Sequence, residues 1–211
     1  MKESADPPPI RPVPQQIGGF VHYPGWLDAP EQAALRDDLR GVVAAAPLFA
    51  PVTPSGKAMS VRMTSAGRFG WVSDRRGYRY SETHPNGRPW PAIPARVLDI
   101  WQAVAGTDRS PDCCLINFYD DRAKMGLHQD RDEADFTQPV VSISLGDDAL
   151  FRIGATTRGG PTQSLWLRSG DVLVMGGAAR LRFHGIDRIA RGTSLLLPNG
   201  GRLNLTLRVV T

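Results

Sequence analysis

The sequence predicts a mainly β protein with flanking helices, folded as a double-stranded β-helix, or jelly roll. From Cys113 onward the chain breaks into eight short apolar runs, at residues 113–119, 140–145, 150–153, 164–167, 172–175, 181–184, 194–197 and 202–209. Turn residues separate them, among them Gly170-Asp171 and Asn199-Gly200-Gly201, and a series of short strands without intervening helices favours a sandwich or jelly roll. Upstream, two stretches carry apolar residues at helical spacing and read as scaffold packed on a sheet.

Taken in order, residues 1–16 hold five prolines and little that can pack, which predicts a flexible or extended arm. Asp28 can cap a first helix with Pro30 in its opening turn. Leu35, Leu39, Val42 and Val43 then recur at helical spacing until Pro47 ends it. A second helix is expected from about Pro94 to Ala105, with Val97, Leu98, Trp101 and Val104 in one stripe and Gly106 as a stop. A chain of 211 residues, 41% of them hydrophobic, suits a single domain, placed here at residues 17–211. No apolar run approaches the roughly 20 residues that span a bilayer, and the polar, proline-rich start lacks the pattern of an export signal. Cys113 and Cys114 are adjacent, which makes a mutual disulfide awkward. A cytoplasmic protein is therefore expected.

The formal charge of +4 is regional. Between Lys57 and Arg88 seven basic residues face two acidic ones, a local +5 that leaves −1 for the remainder. Phe69, Trp71, Tyr78 and Tyr80 lie in the same stretch, and basic groups interleaved with aromatic faces are what holding phosphates while stacking a base requires. Core aromatics beneath a solvated strand face would look the same in composition.

The chemistry centres on Leu127-His128-Gln129-Asp130-Arg131-Asp132-Glu133. His128 and Asp130 are two residues apart, so in an extended segment both side chains point to one side and can grip one metal ion. His184 is the best third ligand, because two histidines and one carboxylate leave the other coordination positions open, as non-haem Fe(II) oxygen chemistry needs. His22 and His84 read as structural or surface residues. Such a centre needs an electron-donating co-substrate, most commonly 2-oxoglutarate, whose far carboxylate calls for an arginine fork. On the last strand Arg202, Asn204, Thr206 and Arg208 share one face while leucines share the other, and Asn117 and Tyr119 form a second polar pair with period two.

Together, Asn117-x-Tyr119, Leu127-His128-Gln129-Asp130-x-Asp132-Glu133, Val141-Ser142-Ile143-Ser144-Leu145-Gly146, Gly170-Asp171-Val172, His184-Gly185-Ile186 and Arg202-x-Asn204-Leu205-Thr206-x-Arg208 closely resemble the AlkB family of Fe(II)- and 2-oxoglutarate-dependent nucleic-acid demethylases. Val52-Thr53-Pro54, Met59-Ser60-Val61, Gly70-Trp71 and Gly77-Tyr78 extend the likeness upstream, so it covers about residues 18–208. The resemblance implies that His128, Asp130 and His184 bind Fe(II). It also implies that Asn117, Tyr119, Arg202, Asn204 and Arg208 hold 2-oxoglutarate, with Arg202 on its distal carboxylate. By the same likeness Trp71 stacks on the damaged base, Tyr78 touches the nucleotide backbone and Asp132 recognises the base edge. Residues 17–110 would form helical scaffold and nucleotide-recognition lid, and residues 111–211 the jelly-roll core.

Two positions depart from the family pattern. Met175 stands where a tryptophan is common near the cofactor. Ser164 stands at what resembles a substrate-side arginine position, which would shift phosphate or base contacts onto Arg158 or the basic lid. The implied activity is oxidative demethylation of N-alkylated bases of the 1-methyladenine and 3-methylcytosine type. The expected substrate is DNA, single-stranded in preference to double-stranded, with RNA as a further substrate. O2 is consumed, formaldehyde is released, and the enzyme is a monomer without a membrane partner. The competing readings are an oxygenase of a protein or small molecule, and a non-catalytic nucleic-acid binder.

Overall fold

A computed structural model describes residues 11–211. Thirteen strands and two α-helices arise in an order that follows the apolar periodicity. The first two strands are β1 (Gln15–Ile17) and β2 (Phe20–Tyr23), followed by helix α1 (Ala29–Ala45). Three strands come next, β3 (Arg62–Gly67), β4 (Gly70–Asp74) and β5 (Gly77–Ser81), and then helix α2 (Ala95–Val104). The remainder is all strand: β6 (Cys113–Tyr119), β7 (Met125–His128), β8 (Val140–Gly146), β9 (Asp148–Ile153), β10 (Gln163–Leu167), β11 (Val172–Met175), β12 (His184–Ala190) and β13 (Arg202–Arg208). Helix α1 starts on a complete capping box, in which Asp28 accepts from the Glu31 amide and Glu31 accepts in return from the Asp28 amide.

Seven strands pair in the order β1-β2-β11-β8-β13-β6-β3 and four in the order β10-β9-β12-β7, while β4 and β5 form a separate hairpin. One apolar cluster joins Leu35, Leu39, Val97 and Trp101 of the helices to Ile116, Ile143, Leu205 and Leu207 on the outer face of the large sheet. A second, containing Phe20, Leu115, Phe151, Leu173 and Ile186, fills the space between the two sheets. Strand β13 shows how alternation divides the labour. Leu203, Leu205 and Leu207 belong to the helix-side cluster, so Arg202, Asn204, Thr206 and Arg208 face the other way, between the sheets.

The structure corrects three expectations. The proline-rich arm does not remain apart up to residue 16, because Gln15 and Gln16 pair with His22 and Val21 of β2, and Arg11 bridges Glu31 and the Trp26 carbonyl. Residues 1–10 lie outside the described residues. The run at 181–184 is not a strand up to its end. Arg182 and Phe183 donate their amides to Ala179 and Ala155 in a turn, and the strand begins at His184. Residues 194–197 are not a strand either. Ser194 donates its amide to Asp147, Leu195 projects into solvent, and Leu196 and Leu197 pack on the helix-side cluster.

His22 and His84 are structural, as expected. His22 bonds Asp171 at 3.0 Å and His84 bonds the Pro47 carbonyl at 2.9 Å, both buried. The two cysteines are free and buried, and burial pushes the Cys113 thiol up to about 12. Among the described residues no helix is long and apolar enough to cross a membrane.

Candidate metal centre and active-site cavity

A cavity of about 380 Å³ opens between the two sheets beneath the β4–β5 hairpin. His128 closes β7, Asp130 follows in the loop, and His184 opens β12, directly across from His128 in the ladder. Gly185 permits this approach. A Cβ there would lie 2.4 Å from the Met125 carbonyl oxygen, so only glycine lets β7 and β12 come this close.

The three side chains offer one ligand atom each within 4.8 Å of one another. His128 Nε2 lies 3.7 Å and His184 Nε2 3.9 Å from the Asp130 carboxylate. Metal bonds of about 2.0–2.2 Å bring ligands at right angles to about 3 Å apart, so small side-chain movements suffice to bind an ion. Both Nδ1 atoms are held by backbone carbonyls, of Gly126 at 2.9 Å and Arg182 at 3.0 Å. That contact fixes the tautomer with a proton on Nδ1 and leaves Nε2 as the ligand. Two imidazoles and one carboxylate facing an open cavity are a donor set fitted to Fe(II).

The electrostatics favour the ligating forms. Burial pushes the His184 imidazole down to about 4, against the pull of Asp130. Burial alone would raise the Asp130 carboxyl, but Arg208, then His184 and His128, hold it well below the usual carboxylate range. In metal-free protein His184 therefore stays unprotonated to about pH 4, whereas the unfolded chain takes up that proton near 6.5. Unfolding is then coupled to proton uptake. Stability should be full above about pH 6.5 and fall toward pH 4 by on the order of 3 kcal/mol. Urea midpoints measured in chelator at the two ends of this range should show the drop, and His184→Gln should flatten it.

Behind the triad runs a buried ionic chain. Arg208 donates to Asp130 at 2.9 Å and approaches Glu133 at 3.1 Å. Glu133 also takes Arg180 at 3.0 Å and the Tyr80 hydroxyl at 2.5 Å. The Arg208 Nη1 and the Asn117 Oδ1 are buried without a partner, and both residues belong to the cavity wall. An unpaired guanidinium nitrogen beside the metal ligands calls for an anion, and a keto acid carboxylate meets that need.

Tyr119 and Asn204 complete this part of the wall. Arg202 stands directly behind the wall, bonded to the carbonyl of the lining residue Leu167. It is fully buried, outside the cavity lining, and bonds the Asp147 and Leu167 carbonyls and the Ser144 hydroxyl. Among the described residues no carboxylate pairs with it, its Nε has no partner, and burial lowers it to about 10, so it remains a cation at neutral pH.

At the mouth, Trp71 and Tyr78 stack with ring centroids 5.4 Å apart and planes at 16°. Trp71 donates its indole N–H to Asp132 at 2.9 Å. The hairpin register explains the grouping: Trp71 pairs with Tyr80 and Ser73 with Tyr78, so all three aromatics share the face turned to the cavity. Ser164 is not brought to the site. It is exposed on β10 outside the cavity lining, because alternation turns Leu165 and Leu167 inward, whereas Arg158 does line the cavity. Sequence reasoning missed Glu133, Arg180 and Tyr80 as a unit. Glu133 sits beside Asp132 in the quoted motif, but nothing in the order of residues joins it to Arg180, 47 positions away.

Residues 19–208 match the family described as the 2OG-Fe(II) oxygenase superfamily. An AlkB homolog of Caulobacter vibrioides is 54% identical over 193 residues, covering 91% of this chain and 88% of the relative. This chain belongs to the AlkB family. AlkB of Escherichia coli K12 is 43% identical, with 92% and 91% of the two chains covered. The solved structure of OsALKBH1 superimposes with a TM-score of 0.77 at 32% identity, over 93% of this chain and 99% of that one. As an AlkB-family dioxygenase the enzyme uses Fe(II), 2-oxoglutarate and O2.

Proposed function

We propose that this enzyme removes alkyl groups from base nitrogens in nucleic acid, with single-stranded DNA carrying 1-methyladenine or 3-methylcytosine as preferred substrate, double-stranded DNA accepted and RNA as a further substrate. The arrangement that supports it is an aromatic face with a carboxylate, Trp71 and Asp132, at the mouth of the cavity that holds His128, Asp130 and His184. Such alkylated bases carry positive charge and pair poorly. They leave a duplex at low cost, and an aromatic face beside a carboxylate favours a cation. Relatives named as DNA N(6)-methyladenine demethylases and a tRNA demethylase agree with a nucleic-acid substrate.

In this reading His128, Asp130 and His184 bind the iron. Asn117, Tyr119, Asn204 and Arg208 from the wall, with Arg202 beside it, hold 2-oxoglutarate. Trp71 stacks on the flipped base, Asp132 accepts from its edge, and Tyr78, at the hairpin rim near Arg75 and Arg76, meets the phosphate backbone. Bound Fe(II) with 2-oxoglutarate and O2 supplies the oxidant that hydroxylates the N-alkyl carbon, after which the hemiaminal releases formaldehyde. The hairpin acts as lid, residues 17–211 as one catalytic unit, and the protein works as a cytoplasmic monomer, in keeping with its free thiols.

The test is formaldehyde release from a methylated oligonucleotide, expected only with Fe(II) and 2-oxoglutarate and lost in His128→Ala. Keto acid turnover indifferent to methylated nucleic acid would move the substrate to a protein or small molecule. Salt-sensitive binding without O2 consumption would leave only a binder. Trp71→Ala should weaken oligonucleotide binding about 5- to 150-fold, the equivalent of about 1–3 kcal/mol for one stacked base, read by fluorescence anisotropy with metal-loaded protein in the absence of O2.

A further inference from the structure

A second basic stretch lies outside the hairpin. Residues 151–191 hold seven arginines against two aspartates, a local +5. Arg180 pairs with Glu133 and Arg191 with Asp121, whereas Arg152, Arg158, Arg168, Arg182 and Arg188 form no ion pair among the described residues. Of the two aspartates, Asp171 is buried against His22 and only Asp187 is exposed.

The ladder gathers part of this charge on one surface. On β9, Phe151 and Ile153 face the core between the sheets, so Leu150 and Arg152 face outward. Leu165 and Leu167 turn Trp166 of β10 outward in the same way. Leu150 is the ladder partner of both Trp166 and Arg188. These three therefore form one row across β10, β9 and β12, and Arg152 lies about 7 Å from it along β9, on the side where Ile153 pairs with His184. Both helices pack on the large sheet. On the small sheet Trp166 stays 39% exposed, with the Arg188 guanidinium 5.6 Å from its ring centroid. Past Arg152, Arg182 donates to the Gly154 carbonyl at 2.6 Å, and Arg158 lies over Phe183 while also lining the cavity. A line of cations without acidic partners thus leads from the cavity onto the outer face of the small sheet and ends at an aromatic ring.

We infer that this outer face is a second nucleic-acid surface, which receives the strand on one side of the nucleotide held in the cavity. Phosphates meet Arg152 and Arg188, and one base stacks on Trp166. Charge complementarity selects the occupant, because arginines that no carboxylate neutralises, set around an exposed indole, suit a polyanion that carries flat bases. The Arg188 contact with the ring is weak at an exposed site, so the guanidinium can turn to a phosphate and leave the indole to a base. None of these contacts reads a base edge, so the surface adds affinity without sequence preference. The inference rests on nucleic acid as the substrate class, and not on removal of the alkyl group.

Strand length tests it. Binding of a methylated trinucleotide and of a single strand of about 15 nucleotides with a central lesion is compared by fluorescence anisotropy, with metal-loaded full-length protein and 2-oxoglutarate in the absence of O2. The long strand should bind more tightly. Trp166→Ala should weaken the long strand about 5- to 150-fold and leave the trinucleotide unchanged, both in binding and in formaldehyde released with O2 present. Arg152→Gln and Arg188→Gln, surface changes that should spare the fold, should each lower the slope of log affinity against log salt by about 0.7 for the long strand alone. Extension on one side of the lesion should reproduce the whole gain, and extension on the other side none of the Trp166 dependence.

Equal affinity for the two lengths in the unmodified protein would overturn the inference, as would equal losses for both lengths in the variants. A dimer of the unmodified protein that Trp166→Ala converts to monomer would make the face a contact between two copies and would also overturn it. Formaldehyde release from long strands that is indifferent to Trp166, Arg152 and Arg188 removes this surface and leaves the demethylase reading intact. Length-dependent binding that needs Trp166, with no formaldehyde from any strand, supports the surface and counts against that reading.

Discussion

An Asp130→Ala enzyme is expected to release no detectable formaldehyde and to lose the visible charge-transfer band that an Fe(II)-bound keto acid gives without O2. Asp130 is the one carboxylate of the triad, and it lies within 3.9 Å of both imidazoles. Without it only the two imidazoles remain as ligands, and the positive field of Arg208, 2.9 Å from the lost carboxylate, then repels a cation. Anaerobic titration with Fe(II) and 2-oxoglutarate, followed by absorbance, reads the loss separately from catalysis. A band of normal intensity in the variant would show that the ion is held elsewhere.

Arg208→Met is expected to have the largest effect on stability, about 3–5 kcal/mol in the metal-free protein. The guanidinium is buried and stands between two buried carboxylates, Asp130 and Glu133. Methionine fills similar space but leaves Asp130 without a cation, and Glu133 with Arg180 as its remaining ion-pair partner among the described residues. The variant should also bind 2-oxoglutarate poorly, because the unpartnered Arg208 Nη1 belongs to a side chain of the cavity wall beside Asp130. Mn(II) should recover part of the lost stability by neutralising Asp130, raising the variant's thermal midpoint more than it raises the wild-type midpoint. Equal shifts in the two proteins would mean that Asp130 does not sense both charges. Arg208→Lys should keep the sign of charge but not the fork that reaches both partners.

The elements that could be read from the sequence are those whose cause is local. The Asp28 cap of α1 and the alternation of β13 each depend on residues within a few positions and appear where expected, while the buried stripe of α2 keeps Val97, Trp101 and Val104 but takes Ile100 in place of Leu98. The triad was legible because His-x-Asp is local and the donor set has few chemical uses. The onset of β12 was not, because a hydrogen bond from the Phe183 amide to the Ala155 carbonyl decides it across 28 residues. Leu196 and Leu197 looked like strand because they are apolar, yet their burial comes from lying over the helix-side cluster and not from a ladder. The Tyr80–Glu133–Arg208 chain was hidden for the same reason, since only the folded hairpin sets a tyrosine 53 positions away against that glutamate. Ser164 lies outside the cavity because alternation along β10 turns Leu165 and Leu167 inward, which its own polarity does not reveal.

The β4–β5 hairpin shares no ladder with either of the larger sheets. Its strand pairing is internal, and the Ser73 carbonyl accepts one further bond from the Val52 amide in the preceding loop, so changes in its loop length or its arginines need not propagate into the frame that aligns the three metal ligands. Where the hairpin meets the substrate as proposed, preference for one lesion or one polymer could then change by rewriting this short segment, provided that Tyr80, its tether to the buried charges, is kept.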